Sequence, residues 1–190
     1  MKQTDLFSVP VYIYSVKDWE VIKMHFLNKI NWNDPECQDL MQDDYLNGGY
    51  SDFHKYYAAG RNPEYYDELM TILHEPLQEF ASMNPGAFVS NAWCQKYPAN
   101  TCHAAHNHGA VGYSSVFYAQ LGRAHKPTSF FSPLIDPWTG QIESIEPECR
   151  EGDIIFFPSY LIHQSQPHRA AEDKIIFSFN LHLSGETISL

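Results

Sequence analysis

Basic residues are scarce in this chain. Twelve Lys plus Arg stand against 23 Asp plus Glu, and the formal net charge at pH 7 is -11. A general nucleic-acid binder needs clustered cations to neutralise phosphates, so no nucleic-acid partner is expected. Long apolar runs are also missing. No stretch approaches the roughly 18 residues that span a bilayer as a helix, and no membrane partner is expected. Met1 to Val9 has no basic segment leading into an apolar one, so no secretory signal is expected either. The four cysteines, Cys37, Cys94, Cys102 and Cys149, show no C-x-x-C spacing. They read as free thiols of a reducing cytoplasm, with two disulfides as the alternative. Repeats, low-complexity tracts and linker-like stretches are absent, so residues 1–190 are expected to form one domain.

Aromatic residues are plentiful. Twelve Tyr, 12 Phe and 4 Trp make up 15% of the chain, against a charged share of only 18%. That balance gives a globular protein with a core or cleft built from flat rings. Leu6 to Tyr14 is β-branched and aromatic, so a strand is predicted, with Pro10 marking an edge or bulge. Trp19, Ile22, Phe26 and Ile30 recur near helical period and predict a helix over residues 17–30. Residues 31–61 lack a period and read as a long loop. Asn62 as cap and Pro63 at the first helical position open a second helix, kinked at Pro76 and ended by Asn84-Pro85-Gly86. From residue 87 onward, strands are predicted over 87–97, 113–121, 128–131, 142–148, 153–157 and 174–183, separated by turn signals at Gly122, Pro133, Asp136-Pro137, Gly140 and Glu151-Gly152-Asp153. The expected fold is mainly β with N-terminal helices (α+β). Residues 1–86 form a strand and helical preface, and residues 87–190 an antiparallel sandwich or barrel.

The strongest chemical signal is Cys102-His103-Ala104-Ala105-His106-Asn107-His108-Gly109. Residues two apart on a strand share a side, so His106 and His108 can offer two imidazoles to one metal. His103 has the wrong parity for a regular strand, though a loop can bring it round. His163 follows the strand Ile154-Ile155-Phe156-Phe157-Pro158 and lies 55 positions beyond His108. Two close ligands and one distant one resemble a facial triad, whose usual members are two His and one carboxylate. Spacing alone leaves a metal site and ordinary packing histidines as equal readings.

A wider pattern runs through His106-Asn-His108-Gly-Ala-Val-Gly-Tyr-Ser114-Ser-Val116-Phe-Tyr118. It continues with Asp136-Pro137, Glu151-Gly152-Asp153-Ile-Ile-Phe156-Phe157-Pro158-Ser159, His163, Pro167 and Lys174-Ile-Ile-Phe-Ser178-Phe179-Asn180. In this order the segments resemble a group of 2-oxoglutarate- and iron(II)-dependent oxygenases. Leu6-Phe7 with Pro10 is similar to that group's start, and Trp93 stands where it has a Trp. The resemblance implies a double-stranded β-helix (jelly roll, cupin-like) and assigns His106, His108 and His163 as Fe(II) ligands. Most of the superfamily has Asp or Glu where His108 stands. It also implies a cation for the far carboxylate of 2-oxoglutarate. Relatives place an Arg there; here the position falls on Lys174, with Ile176 replacing a small polar residue and Arg169 as the competing cation. Tyr118 would add a hydroxyl donor to the cosubstrate site.

The function implied is an oxygenase using Fe(II), 2-oxoglutarate and O2 to hydroxylate a small molecule or a peptide side chain. Two alternatives stand beside it. One is a cupin-type three-His dioxygenase without 2-oxoglutarate, weakened because residues 109–121 contain no Glu. The other is a non-catalytic β-sandwich binding module. Trp138 is expected to pack in its loop, and His125, His168 and His182 to belong to surface or core. The tyrosines from Tyr45 to Tyr66 either line a cleft or stitch the helices to the barrel. Asp5, Asp43, Asp44 and Glu64 read as solvated charge, and a homodimer is the base-rate expectation.

Overall fold

Alternation decides the architecture. Along the strand Lys174–Leu183, the side chains of Ile175, Phe177, Phe179 and Leu181 join one apolar cluster, whereas Ile176 joins another. The same split occurs on Ala87–Tyr97, where Ala92 and Cys94 face one way and Tyr97 the other. A sheet apolar on both faces must be covered on both. The computed structural model, which describes residues 8–38, 49–57 and 59–184, shows how.

Ten strands form two antiparallel sheets. In chain order they are β1 (Tyr12–Ser15), β2 (Tyr50–Ser51), β3 (Ala87–Tyr97), β4 (His103–His106), β5 (Tyr113–Gln120), β6 (Thr128–Ile135), β7 (Ile142–Ile145), β8 (Asp153–Pro158), β9 (His163–Ser165) and β10 (Lys174–Leu183). The larger sheet has the order β1-β8-β5-β10-β3-β2 and the smaller β4-β9-β6-β7. Helices α1 (Trp19–Leu27), α2 (Pro35–Gln38), α3 (Phe53–Tyr56), α4 (Tyr66–Ile72) and α5 (His74–Met83) complete the described elements.

One face of the large sheet packs on the helices. Trp19 meets Phe117 edge-on at 4.8 Å, and Phe80 stacks on Phe156 at 4.5 Å. Such pairs add about 0.5–1.5 kcal/mol each beyond their buried area. The other face meets the small sheet through Tyr97, Val116, Tyr118, Ile155, Phe157 and Ile176, with Phe130 arriving from β6. Two facing antiparallel sheets with helices outside the larger one make the expected double-stranded β-helix.

Several elements differ from the sequence reading. The first strand starts at Tyr12, past Pro10, and pairs with β8 as part of the large sheet. The stretch 31–61 carries local structure: Asp34 Oδ1 caps α2 by accepting the Glu36 N–H at 3.0 Å, and β2 pairs with β3. It is pinned by buried Asp52, whose carboxylate accepts the Tyr65 hydroxyl and the Cys94 N–H, each at 2.7 Å. Asn62 and Pro63 do not open the next helix, which starts at Tyr66. Pro76 falls in the first turn of α5, so the chain breaks at Leu73 and restarts where a missing N–H costs nothing. Trp138 does not pack in its loop: it is 93% exposed on a turn closed by three hydrogen bonds to Asp136 Oδ1. Leu6, Phe7, Asp5, Asp43, Asp44 and Tyr45 lie outside the described residues.

Candidate metal centre

β4 and β9 were not foreseen, and they build the site. They pair antiparallel with His106 directly opposite His163, and β9 is held on its other side by β6 through His163 and Phe130. His108 follows β4 in a loop whose path is fixed by two main-chain bonds, His108 N–H to Ser159 O at 2.9 Å and Ser159 N–H to Gly112 O at 3.0 Å. The outcome is that His106, His108 and His163 each bring one ring nitrogen within 4.8 Å of the others. His103 is not one of that converging set. A register irregularity in β4 nonetheless brings its ring onto His106, with centroids 3.9 Å apart, and its Nδ1 lies 3.3 Å from Gln95 Nε2.

The hydrogen bonds fix which nitrogens carry protons. His106 Nδ1 lies 2.7 Å from Ala104 O, and His163 Nδ1 lies 2.9 Å from Leu161 O. A carbonyl only accepts, so both rings hold their proton at Nδ1. His108 Nδ1 is 2.7 Å from Asn180 Oδ1. Burial pushes His163 down to about 3 and holds His106 and His108 below the usual histidine range, so the rings are neutral at pH 7. Neutral rings protonated at Nδ1 have bare Nε2 lone pairs, and those of His106 and His108 face each other at 3.3 Å. Lone pairs so close repel unless a cation stands between them. Three fixed imidazoles with converging acceptor nitrogens fit a divalent transition metal.

Beside the imidazoles runs a cleft lined by Trp93, Gln95, Tyr97, Ser115, Thr128 and Ser165, among others. Trp93 stacks on His108 at 5.7 Å and is itself flanked by Phe53 at 5.1 Å and Tyr57 at 6.5 Å. Lys174 is wholly buried next to this cleft. Its Nζ donates to Ser165 Oγ at 2.9 Å and Lys126 O at 2.8 Å, and sits 5.7 Å from the centre of the Tyr97 ring. Burial pulls its pKa down to about 7, and among the described residues no carboxylate pairs with it. The Tyr97 hydroxyl and Ser115 Oγ are buried without a hydrogen-bond partner among the described residues. A buried amine with no carboxylate partner and two hydroxyls without hydrogen-bond partners are groups that an acidic ligand in the cleft would satisfy. Arg169, the competing cation, is exposed. Tyr118 is buried, and its hydroxyl accepts the Thr128 N–H at 3.0 Å.

The fold and the histidine cluster together define a double-stranded β-helix protein with a candidate three-histidine metal site. Residues 91–180 match the family described as "Putative 2OG-Fe(II) oxygenase", so the resemblance read from the sequence holds over the segment carrying all three histidines and Lys174. Solved structures share the fold over nearly the whole chain. A Pseudomonas putida prolyl-4-hydroxylase is 14% identical, with 94% of this chain and 95% of that one covered and a TM-score of 0.59. The collagen prolyl hydroxylase of Paramecium Bursaria Chlorella virus-1, in complex with 2-oxoglutarate, is 12% identical, with 90% and 94% covered and a TM-score of 0.58. HygX from Streptomyces hygroscopicus, with nickel and 2-oxoglutarate bound, is 10% identical, with 96% and 89% covered and a TM-score of 0.60. No curated protein matches the sequence. Among the described residues no helix is long and apolar enough to cross a membrane.

Proposed function

We propose that the protein is an Fe(II)- and 2-oxoglutarate-dependent oxygenase that hydroxylates a small molecule or a peptide side chain, with residues 1–190 acting as one oxygenase domain. The observation that carries this reading is the set of three Nδ1-anchored imidazoles, two of whose bare Nε2 atoms stand 3.3 Å apart. His106, His108 and His163 hold the iron. Bound Fe(II) with 2-oxoglutarate supplies the activation of O2 for oxidation of a C–H bond. Lys174 takes the far carboxylate of the cosubstrate, steered by Ser165. The hydroxyls of Tyr97 and Ser115 supply further polar contacts. Tyr118 acts at one remove, by fixing Thr128 on the cleft wall. Trp93, flanked by Phe53 and Tyr57, forms an aromatic wall beside His108. Four free thiols support a reducing, cytoplasmic setting.

Calorimetric titration with Mn(II), a redox-inactive stand-in, and then with 2-oxoglutarate tests this reading without turnover. One metal per chain is expected, with His106→Ala and His163→Ala each losing most of it. Lys174→Ala should keep the metal and raise the 2-oxoglutarate dissociation constant about tenfold to a thousandfold, as for a lost charge-assisted contact of roughly 1.4–4 kcal/mol. Full metal retention by both histidine variants sinks the ligand assignment. Metal binding without 2-oxoglutarate binding moves the protein to the three-His, cosubstrate-free class.

A further inference from the structure

His108 stands where a carboxylate is usual, and a histidine there works only in one tautomer. A carboxylate offers lone pairs whichever way it turns; an imidazole offers Nε2 only if its proton is held at Nδ1. For His106 and His163 the holder is a main-chain carbonyl, which no substitution removes. For His108 it is the side chain of Asn180, whose amide could in principle present either oxygen or nitrogen.

Proton counting along the neighbouring side chains removes that ambiguity. Ser90 Oγ lies 3.0 Å from the main-chain oxygen of Asn180, which can only accept, so the single Ser90 hydroxyl proton is committed there. Ser90 Oγ is then left as an acceptor for Asn91, and Asn91 must present Nδ2 to it, at 3.1 Å. That orientation turns Asn91 Oδ1 toward Asn180, which must answer with Nδ2, at 3.0 Å. Asn180 Oδ1 is therefore the atom facing His108, with Ser114 Oγ 3.4 Å away as a second donor to it. Strand pairing makes the chain possible, because Asn180 on β10 is in register with Asn91 on β3 and Ser114 on β5.

We infer that Asn180 is the positioning residue of the metal centre: locked by Ser90 and Asn91, its amide oxygen holds the His108 proton at Nδ1 and so directs the Nε2 lone pair to the metal. The inference rests on the metal reading above, yet the tautomer exists in the metal-free protein and can be read there. Nitrogen-15 NMR of the imidazoles in the metal-free protein assigns the protonated nitrogen of His108, and Mn(II) titration gives the affinity. The unmodified protein and Asn180→Asp, which keeps an acceptor facing the ring, should both show His108 protonated at Nδ1. Asn180→Ala should shift His108 toward protonation at Nε2 and weaken Mn(II) binding about tenfold to a hundredfold, the usual effect of losing a partner behind a ligand. If Asn180→Ala does not fold, Asn91→Ala leaves the acceptor in place but frees the amide to rotate, and should give a mixture of the two tautomers with a smaller loss of affinity. An unmoved tautomer, or an unmoved affinity, in the folded variant overturns the assignment. Failure of the unmodified protein to bind Mn(II) overturns the metal reading instead, and the tautomer comparison still decides what Asn180 does.

Discussion

An ammonium whose only hydrogen-bond partners are a serine hydroxyl and a main-chain carbonyl is costly to bury, and Lys174 is such a group. Its folded-state pKa of about 7 lies below the ordinary lysine value of 10.5. Between those two values the unfolded chain binds the proton and the folded one does not, so stability rises with pH across that window. Below about pH 7 both states are protonated and the cost is greatest. Lys174→Met, a neutral side chain of similar length, should therefore raise the stability of the cosubstrate-free protein at pH 7 by about 1–4 kcal/mol. That advantage should fade as the pH approaches 10.5, while 2-oxoglutarate binding is lost. Urea unfolding of both proteins at pH 7 and pH 10 checks the sign, and equal stabilities at pH 7 would show that the buried charge costs nothing. Under the proposed role of Lys174, that loss of stability is the cost of holding a cation ready for the cosubstrate carboxylate.

At the scale of elements, the segment after β4 controls where His108 sits. Gly112 has φ +91°, and a Cβ on it would lie 2.6 Å from Leu181 O, a main-chain atom that cannot step aside. Gly112→Ala should cost about 2–4 kcal/mol through strain and crowding and should weaken metal binding by displacing the loop. Gly109, at φ +102° with nothing within 4 Å of its would-be Cβ, isolates the strain contribution. Gly109→Ala should cost only about 1 kcal/mol. Thermal unfolding of the two variants side by side measures the difference, and equal losses would mean that the Leu181 contact relaxes freely. What the sequence revealed of these elements follows from how each is stabilised. β3 and β10 could be read because their alternation records burial on two faces. β4 and β9 could not, because His103-Ala-Ala-His106 and His163-Gln-Ser165 have no apolar alternation and are strands only through pairing, β4 with β9 and β9 also with β6. The helix start at Asn62-Pro63 misled because capping chemistry permits a helix without compelling one, and the packing of Leu69 and Phe80 sets where it runs.

For the whole molecule, the large sheet lies between the helices and the small sheet, and the site lies between the two sheets, with His106 and His163 on the small one and Trp93 and Lys174 on the large one. The three histidines could be named from the sequence because H-x-H spacing and a resemblance in motif order point to single residues. The contacts around them could not. Asn180 behind His108, Trp93 stacked on it and His103 against His106 depend on the register of strands far apart in the chain. Net charge also acts at this scale: at -11 the surface disfavours anionic macromolecules, while the buried ammonium of Lys174 makes one interior end of the cleft locally cationic. The most direct test of the site is X-ray absorption at the iron edge on the anaerobic protein loaded with one Fe(II). The arrangement predicts three imidazole nitrogens bound to the iron, falling to two in His163→Ala. An iron surrounded by oxygen donors alone, or a spectrum unchanged by removing His163, would contradict it.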